Sequence, residues 1–205
     1  VRNIAGLALP HHFVDRSQEL HTLRHAQQES IQVLSLWGND GIGKSALAAE
    51  YIAYSGVSAE DVLIIRCREL IEPVAALEKI TEFWRSHQTD AHTKAAALLL
   101  DSRRDPTERA RMAAHMIGDR PPIIVFDDLA AWFETPATPD SSTPASIADK
   151  IMRSILKGLI ATRGSVIYLF ISNRRWADVA AIPVAQKQEI HIAILTPRQA
   201  VLLMN

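Results

Sequence analysis

Residues 38–45 read Gly38-Asn39-Asp40-Gly41-Ile42-Gly43-Lys44-Ser45 and match the motif G-x-x-x-x-G-K-[ST] in full. Residues 31–37 before the motif are rich in β-forming residues, and residues 44–54 after it have the alanine and leucine content of a helix. A glycine-rich turn between a strand and a helix points consecutive backbone N–H groups at phosphate oxygens, next to the positive end of the helix. The motif therefore predicts a P-loop that binds ATP or ADP.

Three residues of the motif have distinct expected roles. Gly41 lets the loop curl, Lys44 supplies a positive charge for the β- and γ-phosphates, and the Ser45 hydroxyl is a ligand for Mg²⁺. The alternative is a chance glycine-rich turn, which the position between a buried strand and a helix argues against. The residues expected to contact the nucleotide are Gly38, Asn39, Asp40, Gly41, Ile42, Gly43, Lys44 and Ser45.

A second polar motif follows an apolar run, residues 123–126, which ends at Asp127 and Asp128. This is the position and chemistry of a Walker-B motif. We expect Asp127 to hold Mg²⁺ through water, and Asp128 to orient or deprotonate the water that attacks the γ-phosphate. The alternative is an acidic turn or helix cap, which is common for aspartate after a strand.

A third polar group, Ser172-Asn173-Arg174, ends the apolar run of residues 165–171. In a sheet of this type the strand lies between the Walker-A and Walker-B strands, so its tip faces the γ-phosphate. Arg174 is therefore the candidate that detects this phosphate by a bidentate contact and assists catalysis. Arg175 is adjacent and is the alternative, and a plain surface arginine is a third reading.

Strands alternate with helical stretches along the chain, which predicts an α/β fold with a parallel sheet covered on both faces. We expect the three-layer P-loop NTPase fold, with five parallel strands in the order 5-1-4-3-2. Residues 1–28 form a short N-terminal segment, residues 29–195 form the NTPase core, and residues 196–205 begin a truncated helical subdomain. The predicted strands are residues 31–37, 62–66, 123–126, 165–171 and 189–195.

The composition argues against several other classes of protein. The 22 basic residues and 23 acidic residues leave a net charge of −1, so a dedicated nucleic-acid-binding protein is not expected. The single cysteine, Cys67, cannot form an internal disulfide, and neither a membrane span nor a signal peptide is visible. We expect a cytoplasmic protein without a membrane partner. The chain begins at Val1 rather than Met, so we also expect a piece of a longer protein.

Several motifs, in this order, resemble those of STAND NTPases, the group that includes the NB-ARC ATPases. Residues 13–20 (FVDRSQEL) resemble the F-V-G-R-x-x-E-L segment that precedes the P-loop in that family. Residues 38–45 resemble its G-x-G-G-I-G-K-[ST] loop, and residues 123–128 its apolar strand ending in D-D. Residues 164–174 resemble its G-S-strand-T-[TS]-R sensor segment, and residues 195–200 the opening of its next helical subdomain.

The chain departs from this family pattern at four places. Asp15 and Asp40 stand where glycine is usual, and Asn173 stands where threonine or serine is usual. Residues 135–146, rich in Pro, Ser and Thr, form an insertion after the Walker-B strand that is not typical of the family.

The resemblance implies a function and a partner. Val14 and Arg16 would lie near the adenine and ribose of the nucleotide. ADP would hold a closed monomer, ATP would favour a form that self-assembles, and slow hydrolysis would reset this switch. Sensor and effector domains would lie outside these residues.

Two other functions remain open at this stage. An AAA+-type ATPase acting on nucleic acid or protein would need an arginine finger, for which Arg163 is the one candidate that we see. A nucleotide-binding scaffold without turnover is the other alternative. DNA-stimulated turnover favours the AAA+-type ATPase, and single-turnover hydrolysis with Mg²⁺ separates the scaffold from both ATPases.

Overall fold

The computed structural model describes residues 3–4, 7–8, 16–117, 122–134, 144–162 and 166–193. Val14, Arg163 and the expected C-terminal subdomain at residues 196–205 lie outside these ranges. The strands are β1 Asn3–Ile4, β2 Leu7–Ala8, β3 Val33–Trp37, β4 Val62–Arg66, β5 Ile123–Asp127, β6 Ile167–Ser172 and β7 Lys187–His191. The α-helices are α1 Ser17–Gln28, α2 Lys44–Tyr54, α3 Ala75–Ser86, α4 Asp90–Leu100, α5 Pro106–Met116, α6 Lys150–Ile160 and α7 Ala177–Ala180.

The main sheet has five strands in the order β4-β5-β6-β3-β7, and all of its pairings are parallel. If the P-loop strand β3 is counted as strand 1, the order is 2-3-4-1-5, which is 5-1-4-3-2 when it is read from the other edge. The predicted fold class and strand order are therefore confirmed. The first two short strands, β1 and β2, pair antiparallel with each other and are separate from this sheet.

Two apolar clusters cover the two faces of the sheet, which makes the three layers. On β5, the side chains of Ile123 and Val125 pack with residues of α1 and α2, whereas those of Ile124 and Phe126 pack with residues of α3 to α6. Successive side chains of a strand point to opposite faces, so a strand covered on both faces must be apolar throughout. This explains why β3, β5 and β6 are nearly continuous apolar runs.

The register of the strands brings the polar motifs to one edge of the sheet. Trp37, the last residue of β3, pairs with Ser172 at the end of β6 and with His191 at the end of β7. On the other side of β6, Phe126 pairs with Phe170, so Asp127 follows at the same edge. The P-loop, the two aspartates and the β6 tip are therefore neighbours in space.

No helix among the described residues is long and apolar enough to cross a lipid bilayer.

Candidate nucleotide-binding site

The backbone of residues 38–43 has positive φ angles at three glycines, Gly38, Gly41 and Gly43. Gly38 has φ 150°. A side-chain carbon at this position would overlap with the carbonyl oxygen of Ile192, in the segment that follows β7. Gly43 has φ 95° and a left-handed conformation directly before α2. Residues with a Cβ rarely adopt these values, so glycine is needed for the curl of the loop.

The amino terminus of α2 is open toward the loop. Gly43 is its N-cap residue and has no side chain, so no side-chain oxygen caps the first turn of this helix. Thr89, Asp105 and Asp149 cap α4, α5 and α6 with side-chain oxygens, whereas α1, α3 and α7 have no such cap, like α2. The first backbone N–H groups of α2 have no partner within the helix, and together with the helix dipole they favour an anion at this point.

The ammonium group of Lys44 is held inside the curl of the loop. Its Nζ donates hydrogen bonds to the carbonyl oxygens of Gly38 at 2.8 Å and Asn39 at 2.7 Å, and lies 4.0 Å from Oδ1 of Asp40. Burial lowers the pKa of Lys44, and the nearby charges of Asp40, Asp128 and Asp127 oppose this shift. The loop thus places one positive charge among its own carbonyls.

Ser45 and Asp127 are brought together from the loop and the end of β5. The Ser45 hydroxyl donates a hydrogen bond of 2.9 Å to Oδ1 of Asp127. Burial raises the pKa of Asp127, while the hydrogen bond from Ser45 opposes the shift and the charge of Asp128 adds to it. A hydroxyl and a carboxylate are hard oxygen ligands that suit Mg²⁺, and a cation beside them would offset the cost of burying the carboxylate charge.

No group of three or more His, Cys, Asp or Glu side chains in the described ranges could hold a metal ion without further ligands.

Asp128 follows Asp127 but lies in a different environment. Its backbone is left-handed, with φ 58° and ψ 39°, and its side chain is partly exposed. Oδ2 of Asp128 forms an ion pair of 3.3 Å with Nε of Arg68. Sequence reasoning did not predict a role for Arg68, although its position just after β4 would have placed it at the same edge of the sheet. The two adjacent aspartates therefore differ: one faces Ser45, and the other faces a cation and solvent.

The two arginines at the tip of β6 have different partners. Arg175 forms a fork of two hydrogen bonds to Glu189 on β7, at 2.7 and 2.9 Å. The Arg174 side chain is part-buried, and its Nε has no hydrogen-bond partner within the described part of the chain. The backbone N–H of Arg174 is bound to the Ser172 hydroxyl at 3.1 Å. Between the two, Arg174 is the one whose guanidinium pairs with no carboxylate of the residues that the structure describes.

Asn173, the residue before Arg174, reaches across to the P-loop. Its Nδ2 donates a hydrogen bond of 3.1 Å to Oδ2 of Asp40, and its Oδ1 is buried without a partner among the described residues. Asp40 and Asn173 both differ from the STAND motifs that the sequence resembles, and the structure places them in direct contact. This contact joins the loop to the β6 tip.

Arg16 lies beside the loop rather than free in a cleft. Its guanidinium is buried and donates hydrogen bonds to Glu19 at 2.9 Å, to the carbonyl of Ala193 at 2.9 Å and, more weakly, to the carbonyl of Ile42 at 3.4 Å. These contacts tie the segment before α1 to the P-loop and to the chain after β7.

Taken together, a five-stranded parallel sheet of this order and a glycine loop between its first strand and a helix define the fold of a P-loop NTPase.

The comparison with known proteins gives matches among solved structures only. No family model and no curated protein matches the sequence. Among solved structures, the chain is similar to the crystal structure of a signal transduction ATPase with numerous domains (STAND) protein with a tetratricopeptide repeat sensor from Pyrococcus horikoshii. The identity is 16%, the TM-score is 0.49, and the match covers 98% of this chain and 26% of that one. The chain thus spans about a quarter of the length of that protein.

Proposed function

We propose that this chain is the ATP- and ADP-binding domain of a STAND-type signalling ATPase, in which Mg²⁺-dependent, slow hydrolysis controls conformation and self-assembly. The observation that carries the proposal is the juxtaposition at one sheet edge of an uncapped helix start, the buried Lys44 ammonium and the Ser45–Asp127 pair. The P-loop amides and Lys44 bind the phosphates, and Ser45 and Asp127 hold Mg²⁺.

Asp128 and Arg174 supply the remaining steps of the proposed reaction. Mg²⁺, when bound, neutralises phosphate charge and orients the triphosphate. Asp128, whose side chain is partly exposed at the end of β5, orients the attacking water and accepts its proton. Arg68 positions Asp128 through their ion pair. Arg174, whose Nε has no hydrogen-bond partner among the described residues, donates to the terminal phosphate and thereby distinguishes ATP from ADP.

The signalling part of the proposal is supported by the ordered family motifs in the sequence and by the contacts of Arg16. Because Arg16 binds both Ile42 and Ala193, a change in the loop is transmitted to the chain that leads out of the sheet. A switch of this kind needs a nucleotide that binds two conformations with different affinities. The soluble, cytoplasmic setting, the self-assembly in the full-length protein and the sensor and effector domains belong to the same proposal.

Isothermal titration calorimetry tests the binding function. We expect wild-type protein with Mg²⁺ to bind ADP and ATP, and Lys44→Ala to abolish measurable binding, because the loop loses its formal positive charge. Lys94→Ala is the matched control, since Lys94 is an exposed lysine on α4 that pairs with Asp90 away from the loop. If the wild-type protein binds neither nucleotide, or if Lys44→Ala binds as tightly as Lys94→Ala, the proposed function is wrong.

A further inference from the structure

Asp40 is the feature of the loop that nucleotide binding alone does not explain. It places a carboxylate at the mouth of a site built to receive phosphate, with Oδ1 4.0 Å from the Lys44 ammonium. Its other oxygen, Oδ2, accepts the hydrogen bond from Asn173 on β6. One acidic side chain thus bridges the cation of the loop and the tip of the neighbouring strand.

We propose that Asp40 makes this site selective for the nucleoside diphosphate by competing with the terminal phosphate of a triphosphate for Lys44. The inference rests on the proposed nucleotide-binding function. Asp40 sets the specificity by lowering the affinity for the triphosphate, and not by contacting either nucleotide.

The physical basis is repulsion between like charges near one shared cation. A P-loop lysine reaches the β- and γ-phosphates, so the γ-phosphate of a triphosphate must approach the same ammonium group that lies beside Asp40. The diphosphate ends one group earlier and avoids most of this repulsion. The Asp40 side chain is 65% exposed, so water screens the interaction and the penalty is limited to roughly tenfold in affinity.

Asn173 is the positioning residue in this arrangement. Its hydrogen bond holds the Asp40 carboxylate over the loop, where an exposed aspartate would otherwise turn toward solvent. A triphosphate binds well only when Asp40 rotates away, which breaks this bond. Since Asn173 directly precedes Arg174, that movement frees the tip of β6 at the moment when a γ-phosphate is present.

The test measures the dissociation constants of ADP and of the β,γ-imido analogue of ATP by calorimetry, with and without Mg²⁺. Asp40→Asn removes the charge and keeps an oxygen that accepts from Asn173. We expect this variant to bind the analogue roughly tenfold more tightly, with the ADP affinity changed less than about twofold. Asp90→Asn is the matched control: it removes the same charge at an exposed position on α4, and we expect it to change neither constant.

Asn173→Ala tests the positioning role by a second route. We expect it to raise the affinity for the analogue by about threefold, and the double variant Asp40→Asn/Asn173→Ala to match Asp40→Asn alone, because both changes act through one carboxylate.

The outcomes separate this inference from the proposed function. If the wild-type protein binds both nucleotides and Asp40→Asn leaves their ratio unchanged, the selectivity role of Asp40 is wrong while nucleotide binding stands. If Asp40→Asn weakens the analogue only when Mg²⁺ is present, Asp40 is a metal ligand and the inference is overturned. If the wild-type protein binds neither nucleotide, the proposed function itself fails.

Discussion

The functional groups of the site differ mainly in which partner each of them already has. Asp127 faces the Ser45 hydroxyl, whereas Asp128 faces Arg68 across an exposed ion pair. Exposed ion pairs contribute little to stability, so the pairing of Asp128 is more important for its position than for the fold. The neighbouring aspartates therefore lie in different environments, one beside a hydroxyl and the other beside a cation and solvent.

Asp128→Asn is expected to spare nucleotide binding and to slow hydrolysis by roughly 100-fold or more, the usual contribution of a general base. Asparagine tolerates the left-handed backbone at this position, so the change does not strain the turn. Binding is measured by calorimetry and turnover by phosphate release under single-turnover conditions. Undiminished turnover removes Asp128 from the catalytic role.

The two arginines of the β6 tip predict opposite phenotypes. Arg174→Ala is expected to lower turnover by roughly 100-fold, because the variant loses the guanidinium charge that stabilises the terminal phosphate. The melting temperature should change little, because the Nε of Arg174 has no hydrogen-bond partner among the described residues. Arg175→Ala is expected to lower the melting temperature with little effect on turnover, because it breaks the fork to Glu189. Reversed results identify Arg175 as the residue that detects the γ-phosphate.

Whole elements contribute to the site by holding the sheet edge in register. The helices α5 and α6 pack closely where Gly158 of α6 faces Thr107 of α5. At the edge strand β7, Glu189 pairs with both Lys187 and Arg175, and Lys187 also donates to the carbonyls of Val179 and Ala180. These contacts fix the outer elements, on which the position of the β6 tip depends.

Gly158→Ala is expected to lower the free energy of unfolding by about 1–3 kcal/mol, because the added carbon would overlap with the carbonyl oxygen of Thr107 and force the helices apart. Urea denaturation measures the change. Ile151→Ala, at an exposed position of the same helix, should stay within about 0.5 kcal/mol of wild type. Equal effects of the two variants contradict the close packing of these helices.

Glu189→Gln probes the charge cluster of β7 through its pH dependence. Burial alone would raise the pKa of Glu189, but hydrogen bonds from Arg175 and Lys187 outweigh it and hold the pKa below its ordinary value of 4.5. The stabilisation is therefore present above about this pH and is lost as the pH falls through the lowered pKa.

At pH 7 we expect Glu189→Gln to lower the free energy of unfolding by about 1–3 kcal/mol, because the buried Lys187 loses its carboxylate partner. The difference in free energy of unfolding between Glu189→Gln and wild type should become smaller as the pH falls below about 4. Urea denaturation across this range measures it, with the exposed Glu82→Gln as the control. A difference that does not depend on pH shows that the charge of Glu189 is not what stabilises β7.

At the scale of the whole molecule, the site connects elements that are distant in the chain. The loop, the end of β5 and the tip of β6 meet only in the folded sheet, so a ligand that binds all three binds the native state alone. Such a ligand raises the stability of the entire domain by mass action.

MgADP at 100 times its dissociation constant is therefore expected to raise the free energy of unfolding by about 2.7 kcal/mol. This corresponds to a rise in melting temperature of roughly 5–10 °C. Differential scanning fluorimetry measures the rise. Ser45→Ala should retain the shift seen with nucleotide in EDTA and lose the additional shift from Mg²⁺. If Mg²⁺ adds as much in Ser45→Ala as in wild type, Ser45 is not a metal ligand.

Local patterns in the sequence were enough to predict the fold and the meeting of Ser45 with Asp127. A glycine loop, apolar strands and helical stretches are encoded by neighbouring residues, and the class of loop implies the order of the strands, which the structure confirms. For the same reason the pattern placed Ser45 and Asp127 at one edge, where they form a hydrogen bond.

The pairings of the charged side chains came from the folded structure instead. Asp40 and Asn173 are separated by 133 residues, and Arg16 and Ala193 by 177, so no local pattern relates them. The same holds for the ion pairs between Asp128 and Arg68 and between Glu189 and Arg175. Hydrogen bonds and ion pairs act over a few ångströms, and only the packed sheet brings these distant groups within that range.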